Sequence, residues 1–464
     1  MEEQIRYRMD YQSTAYQSLR GKTILIVGEV VNRKRYVWDV ARQYDIKVIY
    51  TDTDKDANAR NDAAHFIHLD LSDHTQDESN ADIVLNVLKS SGIQIDGCLT
   101  FNDDFVVLVA LISTKLGLTG AGVEGAKITK SKHDTYAYLR QEPDILDTCH
   151  FVADSHRICN KNDILSVIQK IKLPAIIKTE YGSDAYGVSM VTNKEECLNV
   201  FEKLQCLYNS PAGRDPSIQY AFGTSHGRSV VLMEHIGGTE HDVNIIMFKG
   251  ILIDAFITDN GPTRKDTFFE TASSLPTCLP NEKKEELIQA AFLCCTKLGL
   301  LSGVFNVEMK MTENGPKLLE INPRLPGYCS RSYILQLYGV DLVVCAFLIS
   351  CGIKPVLPNQ LHADGHIMGV MCVASIHGLA LKTPEIEKQI KMLSLNKEIG
   401  YFSIYDESFL IKSKTGMDYL CGNIYVKEHD LEAAKRKLLK VCDDLGINTP
   451  EYPVSYFLKD FNSV

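Results

Sequence analysis

Three polar residues alternate along the stretch KLLEINPRLPG: Glu320, Asn322 and Arg324. Successive side chains of an extended chain point to opposite faces, so these three share one face. The upstream run GVFNVEMKMTENGPKLLEIN alternates apolar and polar residues on both sides of Glu313-Asn314-Gly315, the pattern of a hairpin. A three-residue loop closed by Gly315 in the left-handed region sets Glu308 opposite Glu320 and Asn306 opposite Asn322. Phe305, Val307, Met309, Leu319 and Ile321 then form the apolar face. Opposed residues have Cβ atoms roughly 4.5–5.5 Å apart and like charges there repel, so a cation belongs between the glutamates. Mg²⁺ takes one or two carboxylates and completes its shell with water and phosphate oxygens, and the Asn322 amide oxygen can join it. Arg324, two positions on, can hold a phosphate or carboxylate in bidentate fashion. The plain alternative is a pair of solvated glutamates on an edge hairpin, which leaves Asn322 and Arg324 without a purpose.

Several other elements carry groups suited to the same chemistry. The apolar run AIIK delivers Lys178, a loop with Gly182, Ser183 and Gly187 follows, and VSMV resumes a strand, so the loop can fold over phosphates and offer them backbone N–H groups. No Walker sequence occurs, so a nucleotide would be held by another fold. In VVLMEHIGGTEHDVNIIMFKG, two strands flank a Gly-Gly turn bracketed by Glu234 and Glu240, placed to accept from adenine or ribose hydroxyls. His235 and His241 there lack a zinc spacing and a third ligand. The helix EKKEELIQAAFLCCTKLG turns Leu287, Ala291, Cys294 and Leu298 inward and ends at Gly299, a core stripe without chemistry.

The N-terminal part reads as a β-α-β scaffold: KTILIVGEV, a helix through Trp38, IKVIYTDTD, and later DGCLTFNDD. The fingerprint G-x-G-x-x-G is missing after Gly28 and Asp52 alone is weak, which argues against NAD; the loop Asn102-Asp103-Asp104 is a better candidate for lining a pocket. Five segments are expected: a polar lead 1–21, a Rossmann-like domain 22–124, two subdomains 125–235 and 236–354, and a C-terminal α/β domain 355–464.

With 464 residues, 45% of them hydrophobic, the chain can bury several cores. A net charge of -10 argues against nucleic acid as a partner, and the absence of a long apolar run argues against a membrane. No secretory core is visible in the first twenty residues, and the fourteen cysteines have no C-x-x-C spacing. The expectation is a cytoplasmic protein with reduced, buried thiols, compatible with a homodimer.

The order of these pieces, from scaffold and Lys132 through Lys178, glycine loop, Glu234, Glu240 and Glu308 to Glu320-x-Asn322-x-Arg324, resembles the ATP-grasp superfamily. INPRLPG and EHIGGTEHDV are most similar to its amino-acid ligase branch, which includes bacterial dipeptide-forming enzymes and the catalytic half of carnosine synthase. The resemblance implies ATP between two α+β subdomains, with Mg²⁺, or Mn²⁺ in its place, on Glu308, Glu320 and Asn322. Lys132, or Lys130 in its stead, and Lys178 would contact adenine-side and phosphate groups. Gly182, Ser183 and Gly187 would close over the triphosphate, Glu234 would lie at the adenine and Glu240 at the ribose. Arg324 and Arg331 would serve reacting or held carboxylates, with Tyr328 nearby. The implied reaction joins two small-molecule amino acids through an acyl phosphate and releases ADP, with β-alanine and histidine as a candidate pair. A nucleotide-binding protein without catalysis and a carboxylating enzyme of the biotin-dependent kind are the alternatives.

Overall fold

The computed structural model describes residues 14–28, 35–57, 59–141, 149–183, 185–210, 213, 219, 222–264, 267–327, 329–357, 362–403 and 420–462. Tyr328 and the first thirteen residues lie outside this set.

Strands β1 (Thr23–Val27), β2 (Lys47–Asp52), β3 (His65–His68) and β4 (Gly97–Leu99) form a parallel sheet in the order β3-β2-β1-β4. The run ILIV is apolar throughout because both faces of the sheet are covered. Ile24 and Ile26 pack with helix α1 (Tyr36–Gln43), while Leu25 and Val27 pack with α2 (Asp77–Ser90) and α3 (Val106–Lys115). Gly28 has φ +79°, and a Cβ there would meet Phe105 Cδ2 at 2.1 Å, so this strand-end glycine serves packing. The polar lead needs correction: Tyr16 and Leu19 are fully buried and the Tyr16 hydroxyl donates to Val356 O at 2.6 Å. Two side chains suffice to anchor a segment whose composition reads as solvated.

Helices α4 (Val123–Lys130) and α5 (Lys132–Leu139) meet at Ser131, whose hydroxyl caps α5 by accepting from the Asp134 N–H. They lead into an antiparallel sheet of β5 (Ser155–Ile158), β6 (Ala175–Thr179), β7 (Ser189–Val191) and β8 (Val230–Glu234), ordered β5-β8-β6-β7. Helix α6 (Lys194–Asn209) packs on it through Phe201 and Leu204.

A third sheet holds β9 (Thr239–Phe248), β10 (Ile251–Asn260), β11 (Ala272–Leu275), β12 (Gly303–Thr312), β13 (Gly315–Asn322), β14 (His366–Val373), β15 (Gly400–Ser403) and β16 (Leu420–Glu428). Its order is β13-β12-β9-β10-β11-β14-β16-β15. Residues after 354 therefore extend the sheet of the preceding segment through the β11–β14 pairing rather than building a sheet of their own. Helix α7 (Asn281–Lys297) covers one face through Leu287, Ala291 and Cys294. Helices α8 (Ser330–Tyr338) and α9 (Leu342–Ser350) cover part of the other and bend by 100° at their junction. Among the described residues no single helix is long and apolar enough to cross a membrane. Thirteen of the fourteen cysteines are free thiols.

The β12–β13 hairpin keeps the expected pairs Glu308 with Glu320 and Asn306 with Asn322, but reaches them differently. Thr312 pairs with Gly315, so the loop has two residues, and Gly315 enters β13 at φ +91°. The residue gained is absorbed as a bulge between Glu308 and Met309, where Leu318 rather than Leu319 becomes Met309's partner. Leu318 is fully buried, and Leu319 lines the cavity described next.

Candidate active site

A cavity of about 640 Å³ lies between the antiparallel sheet of β5 to β8, the polar part of the eight-stranded sheet and the loop after β4. Its floor follows from strand pairing. Glu320, Glu308, Asp242 and Thr258 form one row across β13, β12, β9 and β10, and Asn322, Asn306 and Asn244 form the next. Lys310, Glu240 and Asn260 form a third. All of these except Asn244 line the cavity, so one sheet face concentrates four carboxylates.

That concentration is electrostatically costly and calls for cations. Burial holds the Glu308 carboxyl well above the usual range, and Glu320, Asp242, Glu270 and Glu240 push it further. Burial and Glu240 push Asp242 up to about 6. Lys132 offsets part of this: its ammonium lies 2.9 Å from Glu320 and donates to Gly182 O at 2.5 Å. Asn322 Nδ2 donates to Glu308 Oε1 at 3.0 Å and to Asn306 Oδ1 at 3.1 Å. The amide nitrogen therefore faces Glu308, and a half-turn of the group presents the oxygen in its place. Two opposed carboxylates and an amide, with the Lys132 ammonium against one of them, fit a divalent cation.

The wall opposite suits a phosphate chain. Lys178 is buried, lines the cavity and has no ion-pair partner among the described residues. Burial, then Lys132, lowers its pKa to about 8. The Ser183 hydroxyl is enclosed without a hydrogen-bond partner among the described residues, and Gly182 lies beside it in the lining. Glu234 and Glu240 line the same space, and Lys310 stands 3.8 Å from Glu240. A triphosphate should therefore raise the Lys178 pKa on binding. Below about pH 8 the ammonium is already charged, whereas above it binding must take up a proton, so affinity should fall as pH rises past 8. Calorimetry in buffers of different ionisation heats reads this uptake, and Lys178→Met should abolish it.

Two expectations change here. Lys130 is not an alternative to Lys132: its ammonium pairs with Asp104 at 2.9 Å, outside the lining. Gly187 is not in the cavity lining either. At φ +72°, its missing Cβ would meet Thr179 Cγ2 at 2.9 Å and Leu204 Cδ2 and Phe222 Cε1 at 3.1 Å, so it seats the loop on the core beneath. Gly187→Val should accordingly destabilise the protein by roughly 1–3 kcal/mol, visible as a lower melting temperature before any effect on turnover is considered.

The two arginines separate. Arg324 lines the cavity and makes a bidentate pair with Asp103, Nε to Oδ1 at 2.8 Å and Nη2 to Oδ2 at 2.7 Å. Arg331 is buried away from the lining, bonded to Asp341 by Nε at 2.9 Å and Nη2 at 2.5 Å, with its guanidinium 4.4 Å from the Tyr36 ring centre. Asp341 also caps α9, so Arg331 fixes a helix junction and the expectation of a catalytic role is corrected. His235 lines the cavity while His241 bonds Asp259 at 2.7 Å, so they form no common site. His74, Asp104 and His226 come together elsewhere, but the Lys130 ammonium already supplies the cation beside Asp104.

Sequence reasoning missed Asp242, Glu270 and the polar end formed by Ser273, Cys329 and Tyr333. Asp242 was accessible from period-two alternation with Glu240. Tyr333 and Cys329 reach Asn423 of β16 at 3.2 and 3.1 Å, a long-range contact with no local signal.

Residues 226–356 match a family model described as ATP-grasp in the biosynthetic pathway with Ter operon. The chain is 36% identical over 446 residues to carnosine synthase 1 of Homo sapiens, covering 96% of this chain and 53% of that protein. It is 24% identical over 337 residues to alanine–anticapsin ligase of Bacillus amyloliquefaciens, covering 69% and 67%. An L-amino acid ligase structure from Bacillus licheniformis superposes with a TM-score of 0.68 at 14% identity, covering 91% of this chain and 98% of that one. The chain thus spans about half the length of the carnosine synthases it matches.

Proposed function

We infer the activity from one premise: the chain belongs to the ATP-grasp superfamily, and 96% of it matches about half of carnosine synthase 1. On that footing we propose an ATP- and metal-dependent ligase that joins the carboxylate of one amino acid to the amine of a second, releasing ADP and orthophosphate. The observation that supports this reading is the arrangement of Glu308, Glu320 and Asn322 on one floor, with Lys132 against Glu320 and Lys178 and Ser183 lining the same cavity.

Glu308, Glu320 and Asn322 would hold Mg²⁺, which when bound supplies charge neutralisation for the phosphates. Glu234 would accept from the adenine amino group and Glu240 from ribose hydroxyls. Lys132, Lys178 and the loop at Gly182 and Ser183 would hold the triphosphate, leaving the γ-phosphorus near Arg324. A carboxylate oxygen of the first amino acid attacks that phosphorus and ADP leaves, giving an acyl phosphate. The amine of the second attacks the acyl carbon, orthophosphate leaves, and the nitrogen gives up a proton. Arg324 carries five donors in a fixed fork and can follow the oxygens as charge shifts onto them. Acyl phosphates hydrolyse readily, which favours an enclosed site.

A panel of amino-acid pairs with ATP and Mg²⁺, starting with β-alanine and histidine, tests the reading by ADP release. Release that depends on both members of a pair supports it. Release driven by bicarbonate would point to carboxylation, and nucleotide binding without release under any pair would point to a non-catalytic role.

A further inference from the structure

Asp103 is the only residue of the N-terminal sheet unit among the described cavity-lining residues. It is held there from both sides. The Thr100 hydroxyl accepts from the Asn102 N–H at 3.0 Å, and Asn102 Oδ1 accepts from the Asp104 N–H at 3.0 Å, fixing the turn that carries Asp103. Asp104 is in turn pinned by the Lys130 ammonium and by His226 Nε2, each at 2.9 Å. The Asp103 carboxylate therefore occupies a set position opposite the sheet floor, flush against Arg324.

Four carboxylates of the sheet floor are assigned by position: Glu308 and Glu320 lie across from each other where a cation fits, Asp242 shares their row, and Glu240 lies beside Lys310. Asp103 makes a bidentate pair with the arginine that would hold the reacting carboxylate. A guanidinium and a carboxylate side by side on a cavity wall are the mirror of an amino-acid zwitterion. A carboxylate offers about four acceptor positions, so Asp103 can accept from an ammonium while it holds Arg324.

We propose that Asp103 is a specificity-determining residue that accepts hydrogen bonds from the ammonium of the amino acid whose carboxylate lies on Arg324. It thereby selects an amino acid over a simple carboxylic acid of the same length. This rests on the ligase reading and deepens it. Asp103 takes no part in bond making; its consequence is discrimination, because an acid without the ammonium leaves this charged acceptor without its ligand partner.

The test compares β-alanine with propionate as carboxylate donor, at a fixed amine, by kcat/KM for ADP release in the wild-type protein and in Asp103→Asn. The wild-type protein should favour the amino acid by on the order of 10²-fold or more. Asp103→Asn, which keeps the shape beside Arg324, should narrow that preference at least about tenfold, mainly through KM. A melting curve and binding of an ATP analogue check that the variant is folded. A residue that only braces Arg324 would slow both donors alike, so an unchanged preference overturns the proposal. If the variant does not fold, wild-type protein that accepts propionate as well as β-alanine overturns it equally. Absence of ADP release with every pair would instead remove the ligase reading, and this inference with it.

Discussion

Replacing Glu320 with glutamine is expected to lower metal-dependent turnover by on the order of 10²–10³-fold while the protein stays folded. Glu320 stands directly across from Glu308, and its only described ion-pair partner is Lys132 at 2.9 Å. Glutamine keeps the shape, so packing around the hairpin survives. It removes one of the two charges that would hold the cation and loosens the Lys132 ammonium from its place beside Gly182 O. It also relieves the repulsion that, with burial, raises the Glu308 carboxyl, so the melting temperature should hold or rise. The sign with pH is fixed by the same cause. A carboxyl raised by burial keeps its proton at pH values where a free one has lost it, and a metal must displace that proton. Metal affinity should therefore increase with pH and more shallowly so in Glu320→Gln. Mg²⁺ titrations of ADP release, paired with thermal melts, check both parts; near-normal activity with an unchanged Mg²⁺ requirement would remove the metal site.

Arg324→Lys should cost a comparable factor, on the order of 10²-fold in kcat/KM, for a geometric reason. Lysine keeps the positive charge beside Asp103, so the link between the loop after β4 and the end of β13 persists. The two parallel bonds at 2.8 and 2.7 Å cannot both be made by one ammonium, and neither can bidentate contact with a phosphoryl or carboxylate group. Arg324→Leu should go further and destabilise the protein by roughly 3–5 kcal/mol, because it strands a largely buried Asp103 without its partner. Kinetics and melting curves of the two variants separate these effects: Arg324→Lys lowers the rate, Arg324→Leu lowers both rate and stability. Wild-type rates in Arg324→Lys would exclude the guanidinium from the reaction.

How far the sequence discloses this site depends on the range of each interaction. Period-two alternation across a short loop places Glu308 opposite Glu320 because a hairpin is local, and it does so although the loop is one residue shorter and a bulge at Leu319 restores the register. The same local logic finds the parallel N-terminal sheet from its unbroken apolar strands. It fails where a residue's role is decided by a distant partner. Arg331 sits seven residues from Arg324 and looks equally suited to a carboxylate, yet Asp341 takes it into the α8–α9 junction. Gly187 looks like a phosphate-loop glycine, yet what requires it is the approach of Thr179, Leu204 and Phe222. Asp103 meets Arg324 across 221 residues, and the C-terminal strands join the central sheet through a β11–β14 pairing that no alternation pattern announces.

The transfer of oxygen from substrate to phosphate tests the central claim most directly. With an amino-acid pair that supports turnover, the carboxylate donor labelled with ¹⁸O in its carboxyl group should give ADP and orthophosphate carrying one ¹⁸O, because the oxygen that attacks the γ-phosphorus departs with it when the amine displaces phosphate. Phosphorus NMR resolves the labelled phosphate by its isotope shift. ADP with one labelled oxygen in the released phosphate is the predicted result; AMP with pyrophosphate, or ADP with unlabelled phosphate, would contradict an acyl phosphate formed in this cavity.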